Sequence, residues 1–189
     1  MVYRRFGKRI FDILAASVAL VLLFPLFVLV ALVIHIDDWG PTFFRQCRIG
    51  RGGAPFTLVK FRSMPVGTPT LESSQAMRIY PTRVGRLLRR TNIDELPQLW
   101  NILLGQMSLV GPRPALSSQE DIIRLRLDSG ALDVRPGLTG LAQINAYHGM
   151  SSSEKVRWDK AYANRITLWS DSMILIRTVG YLARRPPVY

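Results

Sequence analysis

The sequence predicts a mainly α fold with one small β-hairpin, its first helix apolar enough to enter a membrane and its later helices amphipathic enough to rest on one. Three observations carry this reading. An uncharged apolar run extends from Ile13 to Ile34, two short β-prone segments flank Gly50-Arg51-Gly52-Gly53, and beyond residue 80 apolar residues recur among charges at helical spacing. The chain of 189 residues is about one domain's worth and long enough to bury a core of its own. Lys and Arg number 25 against 13 Asp and Glu, so a net charge of +12 calls for an anionic neighbour: nucleic acid, a phosphorylated substrate or an acidic membrane face. An apolar share of 48% excludes a disordered tail or a collagen-like repeat. Cys47 is the one cysteine, and His35 and His148 are the only histidines, which rules out an internal disulfide and a zinc site of the usual spacing.

As a helix, Ile13 to Ile34 would rise about 33 Å, roughly the hydrocarbon thickness of a bilayer. Arg4, Arg5, Lys8 and Arg9 precede it as in a signal peptide, but the run is too long and no small-residue cleavage site follows, so the segment is expected to be retained. Pro25 sits near its middle, where it removes one helical hydrogen bond and bends the axis. Arg45, Arg48, Arg51, Lys60 and Arg62 follow soon after, and basic residues on both sides favour the cytoplasmic face. A bent, re-entrant helix satisfies both groups, and a tilted span with a tolerated proline is the other reading of the pattern.

Gly40-Pro41 ends the helix. Thr42–Ile49 and Pro55–Arg62 then read as the hairpin, and Pro65 to Ser74 as a polar loop. Thr82 to Arg90 reads as a basic helix with Val84, Leu87 and Leu88 as its apolar stripe. Its Arg83, Arg86, Arg89 and Arg90 suit phosphates or lipid headgroups. A second helix is expected after Asp94-Glu95, because Pro97 is welcome only in a first turn, and Gly105 closes it. Ser117 to Ser129 reads as an amphipathic helix. The last third, with Trp158, Tyr162, Trp169 and Ile174, suits a membrane surface or core-facing helices equally.

Asp94 and Glu95 stand side by side at an expected helix N-terminus just after four arginines. That placement favours ionised carboxylates, because the helix dipole and the cations both stabilise the charge. An ionised aspartate can attack phosphorus or hold magnesium, while helix capping is the competing reading of the same pair. Lys60, Arg62 and Arg113 are flanked by residues that fix the backbone and suit a diphosphate whose charge redistributes during reaction.

Lys60-Phe61-Arg62-Ser63-Met64, the stretch from Leu88 to Asn101, Met107-Ser108-Leu109-Val110-Gly111-Pro112-Arg113-Pro114 and Arg135-Pro136-Gly137-Leu138-Thr139-Gly140 closely resemble the bacterial sugar transferase family. Its members are monotopic polyprenyl-phosphate phosphoglycosyl transferases, and the resemblance runs from Lys8 to about Thr178. It implies transfer of a phospho-sugar from a UDP-sugar to polyprenyl (undecaprenyl) phosphate, releasing UMP, in the first membrane step of glycoconjugate or exopolysaccharide assembly. Asp94 matches the family's nucleophile, which forms a covalent phospho-sugar intermediate. Glu95 completes the dyad, with magnesium (Mg2+) as cofactor held by Asp94 and Glu95. Lys60, Arg62, Arg89 and Arg113 match substrate-binding cations. The resemblance further implies a re-entrant helix in residues 1–39, bent at Pro25, and one integrated catalytic domain in residues 40–189 on the cytoplasmic face of the inner membrane. Its partners are UDP-sugar, polyprenyl phosphate and membrane lipids, with a homodimer left open and no nucleic acid.

Three departures from the family pattern stand out. Phe24 replaces a serine before Pro25, Gln106 replaces an aspartate before Met107, and Ala146-Tyr147 replace Gly-Arg after Gln143-Ile144-Asn145. Asp159, Tyr162, Asn164 and Asp171 are expected to link helices by hydrogen bonds rather than take part in chemistry. The competing function class is a non-catalytic, membrane-anchored protein whose basic face holds anionic lipid or nucleic acid. Such a protein has no need of paired carboxylates in a basic groove.

Overall fold

The computed structural model describes residues 2–68, 80–147 and 149–182. The loop expected over residues 65–74 is therefore described only to Thr68. Residues 69–74 lie outside the described residues, as does His148.

One long helix, α1 (Lys8–Asp37), follows a π-helical turn at Tyr3–Gly7. Its backbone stays helical through Pro25. At about 1.5 Å per residue its 30 residues rise about 45 Å, longer than the apolar run alone requires. Most of its apolar side chains face outward, Val21, Leu22 and Phe24 among them, yet both ends are tied to the same folded unit. Near the start, Lys8 Nζ pairs with Asp171 Oδ2 at 2.7 Å, and Asp12 Oδ1 accepts from the Leu109 amide at 3.0 Å. At the other end, Asp37 Oδ2 accepts from the Val84 amide and Asp38 Oδ2 from the Val66 amide. Ala16 belongs to the main core with Leu99, Ile102 and Met107, whereas Val30 and Ile34 pack with Phe61 and Leu88 in a second cluster.

The hairpin forms as the alternation requires. Strands β1 (Phe43–Ile49) and β2 (Pro55–Phe61) pair antiparallel, Phe44 opposite Lys60 and Gln46 opposite Leu58. Helix α2 (Arg83–Thr91) is capped by Thr82, whose hydroxyl accepts from the Gly85 amide at 2.9 Å. Leu88 and Val84 face the core, but Leu87 is exposed, because position 87 lies a quarter-turn off the stripe its neighbours define. Gly85 is required where α2 crosses the chain at Ser63, since a β-carbon there would lie 1.9 Å from the Ser63 carbonyl oxygen.

After α2 the chain turns through Asn92 in the left-handed conformation, φ 55°, into a 3₁₀ turn at Ile93–Glu95, and then into α3 (Gln98–Leu103). The predicted helix thus starts after Pro97, and the carboxylates sit on the tighter turn before it. The amphipathic helix α4 begins at Glu120 rather than Ser117 and ends at Ser129, because residues 117–119 are taken up by a turn in which Gln119 Oε1 accepts from the Leu116 amide.

A second sheet escapes the sequence patterns. Strands β3 (Ser108–Val110) and β4 (Gly137–Thr139) pair in parallel, Ser108 opposite Gly137 and Val110 opposite Thr139. A β-carbon on Gly137 would lie 2.0 Å from the Gly111 nitrogen, so glycine is needed where these two motifs cross. Three residues per strand are too few to show a period of two. Beyond the short α5 (Leu141–Ile144), helices α6 (Ser152–Asn164) and α7 (Leu168–Leu182) close the fold. Of the four residues expected to link helices, Asp159, Tyr162 and Asp171 do so, whereas Asn164 is exposed. Tyr162 Oη donates to Asp171 Oδ1 at 2.8 Å and to the Val110 carbonyl at 3.0 Å, and Asp159 Oδ2 accepts from Arg126.

Candidate active site

Asp94 and Glu95 meet residues from three other segments. Lys60 comes from the end of β2, Arg89 from the last turn of α2, and Arg113 from the loop after β3. Glu95 Oε1 accepts from Lys60 Nζ at 2.6 Å and from Arg113 Nη2 at 2.9 Å, so one carboxylate oxygen joins two cations that lie far apart in the chain. Burial alone would raise the Glu95 carboxyl, but Arg113 and Lys60 outweigh it and hold it far below the ordinary range.

Asp94 behaves in the opposite way. It is buried at 8% exposure and makes no ion pair of its own among the described residues. Burial pushes its carboxyl up to about 6, with the Glu95 charge adding to the rise and Lys60, Arg89 and Arg113 opposing it. The dipole and the cations favour the charged form, as expected; burial works against them at Asp94, whose carboxyl at about 6 is still ionised at neutral pH. Desolvation outweighs three nearby cations and the turn's dipole. The Glu95 charge is balanced by two direct contacts, and the Asp94 charge by none.

Lys60, Arg89 and Arg113 are thus brought to the carboxylates, Arg89 with its Nη1 also 3.6 Å from Met64 Sδ. Arg62 is not. Its buried guanidinium turns back toward the end of α1, where Nη2 donates to the Asp38 carbonyl and Nη1 lies 3.7 Å from Asp38 Oδ2. Alternation along an unbroken strand would put residues 60 and 62 on one face, but β2 ends at Phe61, so Arg62 leaves the pleat where the chain meets α1. Pro25 lies within α1, away from these groups in sequence and in the helix-facing clusters.

Sequence reading missed the supports beneath the site. Asn101, 1% exposed, accepts from the Val59 amide and donates to the Thr57 carbonyl and to Gln106 Oε1, fixing β2 and therefore Lys60 against α3. Gln106 therefore provides a supporting contact at the position where it departs from the family pattern. Arg48, on β1, bonds the Pro114 carbonyl and Gln46 Oε1. Nothing in the sequence pattern marked Asn101, because its burial and its backbone partners in β2 are set by tertiary packing.

Among the described residues no group of three or more His, Cys, Asp or Glu could hold a metal ion. Asp94 and Glu95 offer two adjacent carboxylates beside the cations. That donor set fits magnesium, which takes one or two carboxylates and completes its shell with water and substrate phosphate.

A profile of the family described as bacterial sugar transferase matches residues 3–185. The UDP-glucose:undecaprenyl-phosphate glucose-1-phosphate transferase of Caulobacter vibrioides is 41% identical over 191 residues, covering 96% of this chain and 72% of that protein. An exopolysaccharide production protein of Rhizobium meliloti is 39% identical, covering 92% of this chain and 84% of its own. The undecaprenyl-phosphate galactose phosphotransferase of Salmonella typhimurium is 35% identical over 98% of this chain but only 42% of its own, so this chain spans less than half of that protein.

Proposed function

The chain belongs to the bacterial sugar transferase family, and from that premise we propose that it moves a sugar 1-phosphate from a UDP-sugar to undecaprenyl phosphate through a covalent intermediate on Asp94. The observation that carries this reading is the division of labour between adjacent carboxylates. Glu95 draws Lys60 and Arg113 together, and Asp94 is left within their field with no ion pair holding its own carboxylate among the described residues.

In the first step an ionised Asp94 oxygen attacks the phosphorus that bears the sugar. The bond from that phosphorus to the bridging oxygen breaks, and UMP leaves with the electron pair. In the second step an oxygen of undecaprenyl phosphate attacks the same phosphorus, and the Asp94 carboxylate is released as the polyprenyl diphospho-sugar forms. Lys60, Arg113 and Arg89 are placed to balance charge as it moves from the attacking carboxylate to the leaving phosphate. Magnesium, held by Asp94, Glu95 and the diphosphate, would neutralise the leaving group. Arg62 has no part in this account, because its guanidinium is engaged at Asp38. Caulobacter and Salmonella relatives are named for glucose and galactose, so the sugar is best sought among the UDP-hexoses.

We further propose that α1 enters the cytoplasmic leaflet of the bacterial inner membrane without crossing it, leaving the catalytic unit on the cytoplasmic face. Support comes from the two ends of the helix. Asp12 and Ile34 lie about 33 Å apart along its axis, yet both pack against one folded unit, which a perpendicular span could not allow. The outward face, with Val21, Leu22, Phe24 and Leu29, is apolar enough for lipid.

The decisive experiment uses purified protein, magnesium, undecaprenyl phosphate and a panel of UDP-hexoses, with UMP release as the readout. Asp94→Asn is expected to lower turnover at least about 10³-fold while the protein stays folded, since an amide is a poor nucleophile of nearly the same shape. Mass spectrometry of the wild-type enzyme given UDP-sugar alone should find the phospho-sugar on Asp94. Near-normal UMP release from Asp94→Asn would overturn the assignment.

A further inference from the structure

The loop carrying Arg113 is held by its carbonyls. The Pro112 oxygen accepts from the Gly137 amide at 2.8 Å, and the Ala115 oxygen from the Ile49 amide at 2.9 Å. Between them two arginines take the remaining pair. Arg126 Nη1 donates to the Arg113 carbonyl at 2.8 Å, and Arg48 Nη1 to the Pro114 carbonyl at 3.1 Å. Four donors from three parts of the fold, β1, α4 and β4, therefore fix four consecutive peptide units, and the Arg113 side chain leaves that fixed backbone to reach Glu95.

The two arginines differ in what balances their charge. Arg126 is buried against Asp159, with Nη2 2.7 Å from Oδ2, and is an ordinary internal ion pair. Arg48 makes no ion pair among the described residues. Its Nε and Nη2 both donate to Oε1 of buried Gln46, at 3.0 and 2.5 Å, so its whole fork is committed to neutral acceptors. Burial lowers its guanidinium to about 10, with Arg113 adding to the fall and Glu95 opposing it. A neutral donor could cap the Pro114 carbonyl at less electrostatic cost. A rigid planar fork, however, can bind the hairpin and the Arg113 loop together at once.

We propose that Arg48 is a positioning residue of the active site: by tying Gln46 of the hairpin to the Pro114 carbonyl, it sets where the Arg113 guanidinium meets Glu95 and the substrate diphosphate. The inference rests on the reaction proposed above. Because Arg48 acts through Arg113, its loss matters only while Arg113 is present.

The test is a double-mutant cycle on the full chain in its membrane or detergent form, with UDP-glucose and undecaprenyl phosphate as substrates and kcat/KM for UMP release as the readout. Arg48→Gln alone should fall about 100-fold, the scale expected when a reacting group is misplaced by about 1 Å. Arg48→Gln combined with Arg113→Gln should be no more than about threefold slower than Arg113→Gln alone, because contacts sharing one path do not add. Arg48→Lys keeps the charge and stem but not the fork, and is expected to recover less than a tenth of the lost rate. It also serves as the reference should Arg48→Gln fail to fold, as thermal melting would reveal. Losses that multiply in the double variant, full activity in folded Arg48→Gln, or full rescue by lysine would each overturn the proposal. If the wild-type protein releases no UMP from any UDP-sugar, the proposed reaction is what fails. The same four proteins then report positioning through UDP affinity measured by calorimetry, where additive losses again count against Arg48.

Discussion

Two neighbouring carboxylates in this protein are driven to opposite protonation behaviour by what touches them. Glu95 is paired with Lys60 and Arg113, whereas Asp94 is desolvated without a direct cation. A nucleophile has to be ionised, so the rate of the first half-reaction should fall about tenfold per pH unit below about 6 and level off above it. Burst release of UMP with no polyprenyl phosphate present measures this, because the acceptor's own ionisation then plays no part. Arg89→Gln should move the midpoint upward, since it removes a cation that favours the charged form. Because bound magnesium would itself favour the charged form, an ordinary aspartate midpoint for Asp94 in the metal-free protein is the result that would contradict the burial argument. The same displacement affects stability with a defined sign. Native Asp94 holds its proton to higher pH than the unfolded chain does, so its contribution declines as pH rises from about 4 to about 6. Glu95 contributes in the other sense, its stabilisation being lost as pH falls below the ordinary glutamate range.

Short irregular turns place the site, and the regular helices and strands around them serve as anchors. Asn92 is the one residue other than glycine with positive φ among the described residues, and it redirects the chain from α2 into the turn that bears Asp94 and Glu95. Asparagine tolerates this conformation because its side chain is short and polar, whereas a β-branched residue does not. Asn92→Val is expected to cost about 1–2 kcal/mol and to lower activity along with the melting temperature. Asn92→Gly should melt within about 2 °C of wild type. Equal melting temperatures for valine and asparagine would show that the turn is held by its neighbours instead. On the other side of the site, the parallel pairing of β3 with β4 brings Val110-Gly111-Pro112-Arg113 beside Gly137-Leu138-Thr139, and the glycine crossing makes that approach close enough. The two motifs are thus one structural feature built from distant sequence.

At the scale of the molecule, the apolar helix and the basic unit are joined at both ends of α1, by Lys8 with Asp171 at one end and by Asp37 and Asp38 at the other. This geometry predicts that both chain termini face the cytoplasm. Cysteines introduced at residue 3 and at residue 187, each on a Cys47→Ser background, should both resist an impermeant thiol reagent added to intact cells. Labelling at residue 3 alone would establish a true span. The surplus of basic residues acts in the same direction, since Arg4, Arg5, Lys8 and Arg9 would have to cross the membrane in a spanning arrangement.

The sequence by itself determined the apolar helix, the hairpin, the basic helix beginning near Thr82 and the pairing of Asp94 with Glu95, because each is written in neighbouring residues: a hydrophobic run, an alternation, an apolar stripe among arginines, adjacent carboxylates. It also carried motifs long enough to indicate the family. Only the tertiary structure decided which cations reach the carboxylates. Lys60 and Arg62 stand two positions apart in the same motif, yet one pairs with Glu95 and the other with Asp38, because the strand ends between them where the chain meets α1. The parallel strand pair, the Asn101 brace and the grip of Arg48 on the Pro114 carbonyl were illegible for the same reason. Each joins residues dozens of positions apart through backbone atoms that every residue carries, so side-chain pattern leaves no mark of them. Desolvation of Asp94 is likewise a property of everything packed around it, which is why local charge showed only what favours the ionised form and not the burial that works against it.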